Sequence, residues 1–178
     1  MAPTMKQSSR FLVSTIVFTF YPSLSQLLPN QAFAKAKEHS HGVADLKIAA
    51  EGKKIAIEFE SPADSIYGFE HTPKTEADKK KQADGLQRLK EKFSNLVGFD
   101  KSLGCVVKTE SVEVLQGRGN HSEVRSKFEF ECEKTVAGTE IKVDFSSEFP
   151  AIQTIRTQVV SGEKQQGLRI KQKGSIPL

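Results

Sequence analysis

Four histidines and two cysteines are the side chains in this sequence best suited to chemistry at neutral pH: His39, His41, His71, His121, Cys105 and Cys132. His39 and His41 lie two apart in Glu38-His39-Ser40-His41-Gly42. In an extended segment, residues two apart point to the same side. Neutral imidazoles at that spacing can grip one Zn²⁺ together, with a carboxylate or a third histidine completing the shell. His71 falls in the loop Tyr67-Gly68-Phe69-Glu70-His71, beside Thr72-Pro73. Simpler roles compete: a polar chain end for the H-x-H pair, and a hydrogen bond at a helix entrance for His71.

Cys105 and Cys132 flank a turn-forming stretch, Gln116-Gly117-Arg118-Gly119-Asn120, that lies midway between them. If the strands on either side form a symmetric hairpin, the cysteines oppose each other within disulfide reach. The absence of C-x-x-C argues against a redox couple, and two thiols are too few for a four-thiolate zinc site. The expectation is a structural disulfide, which the chain-entropy model values at roughly 3–4 kcal/mol for a loop of this length.

The elements that position these residues read as follows. Residues 42–50 alternate apolar and polar, Glu51-Gly52 signals a turn, and residues 53–60 alternate again with Ile55, Ile57 and Phe59 on one face. Together they predict a hairpin. The second strand returns to where the first began, which brings His71 toward His39 and His41. Thr72 as N-cap and Pro73 at the first helical position would open a helix running to Leu96. Its stripe is Ala83, Leu86, Leu89, Phe93, Leu96 and Val97. Further strands are expected over 105–115, 123–133, 139–146, 152–160 and 168–171. The fold class is α+β: a mostly antiparallel β-sheet with one long amphipathic helix inserted after the first hairpin.

The N-terminus reads as an address. Lys6 and Arg10 precede an apolar stretch from Phe11 to Phe20, and Ala32-Phe33-Ala34 forms a small-residue exit. This is the pattern of a secretory signal peptide, residues 1–34, with cleavage after Ala34 or Ala36. Removing 34 of the 178 residues leaves a single domain, 35–178, and the loss of Lys6 and Arg10 lowers the net charge from +4 to +2. The signal's proportions suit a bacterial periplasm, with no membrane insertion after processing. The small, dispersed charge and the lack of tryptophan give no footing for nucleic acid.

His39-Ser40-His41-Gly42-Val43-Ala44-Asp45-Leu46, Ser61-Pro62-Ala63 and Gly68-Phe69-Glu70-His71-Thr72-Pro73 resemble the ZrgA-like family of exported bacterial zinc-related proteins. Gly104-Cys105, Phe130-Glu131-Cys132 and Phe149-Pro150 are similar as well. The resemblance implies zinc binding in acquisition or buffering, with His39, His41 and His71 at the matching positions. The family's histidine-rich stretch between the cysteines is reduced here to His121, a remnant candidate, so a high-capacity zinc sponge is not expected.

Three function classes follow. The leading one is a periplasmic zinc-binding protein that buffers Zn²⁺ or passes it to a zinc uptake system. The second is a metal-independent envelope binding or structural module. The third, an enzyme, finds no nucleophile elbow, P-loop, H-E-x-x-H or dinucleotide pattern, and the chain is expected not to be one. A variant of the metal reading turns on processing. Cleavage after Ala36 would start the chain Lys37-Glu38-His39, where the amine, two amides and an imidazole can wrap square-planar Cu²⁺ or Ni²⁺. His41 and His71 would then hold zinc with a carboxylate such as Glu70.

Overall fold

Alternation builds the first hairpin. Val43–Glu51 (β1) and Lys54–Pro62 (β2) pair antiparallel, with Leu46 opposite Phe59 and Ile48 opposite Ile57. Every second side chain, from Ala44 to Ala50 and from Ile55 to Phe59, is buried. The computed structural model describes residues 40–117 and 119–178, which belong to one compact unit. The expected signal segment, its cleavage sites and His39 lie outside the described residues.

Among the described residues, nine strands form two sheets. After the hairpin come a short helix, Asp64–Tyr67 (α1), the long helix Glu76–Leu96 (α2), and the two-residue strand Val97–Gly98 (β3). Then follow Val106–Gln116 (β4), Ser122–Glu131 (β5), Glu140–Asp144 (β6), Thr154–Ser161 (β7), Lys164–Lys171 (β8) and Lys173–Pro177 (β9). The larger sheet has the order β4-β5-β2-β1-β7-β8, and the smaller β3-β6-β9. All pairings are antiparallel except β1 with β7, which is parallel. The class is α+β, as the sequence indicates.

The core is the space between these layers. Phe59 of β2 meets Phe93 of α2 edge-on and stacks on Phe145 just after β6, with centroids 6.3 and 5.2 Å away. One fully buried ring thus ties the large sheet, the helix and the small sheet together. Burying such a side chain contributes about 1.5–3 kcal/mol. The opposite face of the large sheet is wet and carries cross-strand ion pairs such as Arg156–Asp45 (2.9 Å) and Arg125–Glu60 (3.2 Å).

Two expectations about α2 need correction. Its N-cap is Thr75, not Thr72. The Thr75 hydroxyl accepts from the Asp78 amide, and the Asp78 carboxylate accepts from the Thr75 amide, so two otherwise orphaned donors are satisfied reciprocally. The buried stripe is Gly85, Leu89, Phe93 and Leu96, while Ala83 is exposed. Gly85 belongs on the stripe because α1 presses there. A Cβ at that position would stand 2.8 Å from Tyr67 Cβ and 2.9 Å from the Ile66 carbonyl oxygen. Arg88, one residue before Leu89, donates to the same Ile66 carbonyl at 3.3 Å.

Cys105 and Cys132 form the expected disulfide, one step beyond the Val106–Glu131 pair that closes the β4–β5 ladder. No helix among the described residues is long and apolar enough to cross a membrane.

Candidate metal centre

Strand direction brings the chemistry to one end of the large sheet. β1 starts where β2 ends, because the two are antiparallel. β5 starts there too, since Pro62 pairs with Glu123. The residues just outside these strand ends are His41, Asp64 and His121, and the loop after α1 adds Glu70.

Each is held by its own piece of backbone. Gly42, at φ +72°, turns the chain into β1, and its carbonyl accepts from the Gln153 and Thr154 amides at 2.8 and 3.0 Å. A Cβ there would come 3.1 Å from the Ala151 carbonyl oxygen, so His41 is presented by a turn suited to glycine. Asp64 opens α1, which ends at Gly68 in the left-handed conformation. The chain then runs through Phe69 to Glu70.

His41, Asp64 and Glu70 each offer a ligand atom, and these atoms all lie within 4.8 Å of one another. His41 Nδ1 stands 2.6 Å from Asp64 Oδ2 and 3.9 Å from Glu70 Oε1. An ionised carboxylate can only accept, so His41 Nδ1–H is the donor to Asp64. The other oxygen of Glu70, Oε2, accepts from His121 Nδ1 at 2.6 Å. Glu70 is thus shared between two imidazoles. It is also the most enclosed of the four, with its side chain 10% exposed against 67% for His41 and 58% for His121.

The charges reinforce one another. The hydrogen bond to Asp64 first, then the charges of Asp64 and Glu70, raise the His41 pKa above its ordinary 6.5. One imidazole and two carboxylates of this spacing suit a divalent cation that takes nitrogen and oxygen ligands. Tetrahedral zinc with bonds of about 2.0–2.1 Å keeps its ligand atoms roughly 3.3 Å apart. The His41–Asp64 contact, at 2.6 Å, would therefore open by about 0.7 Å on binding, and the His41–Glu70 separation, at 3.9 Å, would close by about 0.6 Å.

The other sequence candidates fall as follows. His71 Nδ1 lies 3.1 Å from the Thr72 carbonyl oxygen, and its ring stacks on Phe69 with centroids 4.6 Å apart. The structure therefore places His71 at the helix approach, and it is not one of the three clustered residues. His121 joins through Glu70. Asp64 was not among the sequence candidates, although it directly follows the family-like Ser61-Pro62-Ala63. The signal available was a carboxylate beside that motif. A surface hollow lined by Ala49, Ala56, Glu129 and Val160 lies at the other end of β1 and gathers no comparable ligand set.

The model of the ZrgA family zinc uptake protein matches residues 38–176. No curated protein matches the chain.

Proposed function

Since the chain belongs to the ZrgA family of zinc uptake proteins, we propose that it is a periplasmic carrier or buffer that holds one Zn²⁺ at His41, Asp64 and Glu70 and yields it to an uptake system. The observation that carries this reading is the convergence of three ligand atoms within 4.8 Å. Three protein ligands leave the fourth position of a tetrahedral ion to water or to one of the remaining histidines, His39, His71 or His121. An exposed His41 suits a cargo that must leave as readily as it enters. An open position also lets an accepting ligand attach before the donor releases.

Export is part of the same reading. A disulfide persists in an oxidising compartment, and the sequence opens with the signal pattern described above. The chain has no catalytic role in this account: the clustered groups supply ligands.

Calorimetry and metal analysis on the mature, tag-free protein test the function. One Zn²⁺ should bind per chain. His41→Ala, Asp64→Ala and Glu70→Ala should each weaken binding by well over tenfold. Alanine at His39, His71 and His121 in turn identifies the fourth ligand. Unchanged titrations across the three cluster variants would rule the site out.

A further inference from the structure

The proposed ligands Asp64 and Glu70 are six residues apart, one at the start of α1 and the other beyond its end, and something must fix their separation. We infer that Ser122 is a positioning residue for this centre, holding the Glu70 segment and the Asp64 segment against each other. The inference rests on the zinc-site reading above and goes beyond it by assigning a residue that is not itself a ligand.

Ser122 is 1% exposed and begins β5, next to His121. Its Oγ donates to the Glu70 carbonyl oxygen at 2.6 Å. Its own carbonyl accepts from the Ala63 amide at 2.9 Å, one residue before Asp64. One residue thus clamps the backbone at Glu70 and the backbone entering Asp64, while its neighbour His121 binds the Glu70 carboxylate.

The direction of the hydrogen bonds follows from donor counting. A carbonyl only accepts, so the single Ser122 hydroxyl proton points at Glu70. The Tyr67 hydroxyl, 3.4 Å away, must then be the donor to Ser122 Oγ. Tyr67 in turn accepts from Gln82 Nε2 at 3.2 Å. The chain runs from α2 through α1 to β5 and ends on the proposed ligand's own backbone. Residues that orient metal ligands in this way typically change metal affinity by 10–100-fold when altered.

A double-mutant cycle on zinc affinity tests the assignment, using the full mature protein and Zn²⁺ in a competition titration. Ser122→Ala should weaken binding by about 10–100-fold. It should have little further effect when Glu70 is already alanine, because the residue it positions is gone. Ser122→Cys, of similar volume but a weak donor, should show a smaller loss with the same dependence on Glu70 and covers the case in which Ser122→Ala fails to fold. Equal losses with and without Glu70, or no loss in either variant, would overturn the positioning role while leaving the zinc site intact. Absence of zinc binding by the unaltered protein would instead remove the site reading, and the positioning role with it.

Discussion

Gly85→Ala sets two effects against each other, and their magnitudes decide the outcome. In an open helix interior the change is favourable by about 1 kcal/mol, because alanine loses less backbone freedom on folding. Here the new methyl would stand 2.8 Å from Tyr67 Cβ and 2.9 Å from the Ile66 carbonyl oxygen. Neither atom is the end of a flexible side chain, so relief requires α1 to move away from α2. Overpacking of this kind costs typically 1–3 kcal/mol. The net expectation is a destabilisation of about 1 kcal/mol, which for a domain of this size lowers Tm by roughly 3–5 °C. Because α1 begins with Asp64, the same shift should also weaken zinc binding. Thermal unfolding of the metal-free protein followed by circular dichroism, with a zinc titration alongside, measures both. A higher Tm for Gly85→Ala would refute the close helix approach.

Further outcomes follow from the same geometry. Replacing both Cys105 and Cys132 with serine should cost about 3–4 kcal/mol in the chain-entropy model, read from urea midpoints, and intact mass should rise by two hydrogen atoms when an added thiol reductant opens the disulfide of the natural protein. His41 has a raised pKa. Protonation therefore stabilises the metal-free fold fully below the ordinary value, and this contribution is lost as pH rises through the raised one. Zinc responds in the opposite sense: it competes with that proton, so affinity should fall as pH drops through the raised value, above the pH at which an ordinary histidine would lose metal. Asp64→Asn should move the His41 titration, followed by NMR on metal-free protein, back toward 6.5. N-terminal sequencing of exported protein should begin at Lys35 or Lys37, and recovery of Met1 on a membrane-bound form would contradict processing.

What the sequence made legible was local. Period-two alternation located β1, β2 and β5, because each buries a single face, and the midpoint of the cysteine pair located the β4–β5 turn. Spacing of Leu89, Phe93 and Leu96 located α2. Strand order was not legible. That β5 lies beside β2, and so delivers His121 and Ser122 to the site, depends on non-local pairing that no short-range pattern encodes. The same holds for the parallel β1–β7 pair. The exposed alternate residues of β8 blur its pattern, β9 is only five residues long, and α1 is a single turn. Asp64 opens α1, whose single turn has no periodicity to mark it in the sequence. His71 stood out by residue type, yet its ring is engaged by Phe69 and its nitrogen faces the Thr72 carbonyl.

The location of the ion itself is the most direct test of the central claim. Crystals of the mature protein loaded with one equivalent of zinc, measured on both sides of the zinc absorption edge, give an anomalous difference map that marks the metal without reference to any ligand assignment. The account predicts one dominant peak about 2.0–2.2 Å from a His41 ring nitrogen and from carboxylate oxygens of Asp64 and Glu70. A dominant peak at His71 or His121 without His41, or one on the outer face of the large sheet, would contradict it.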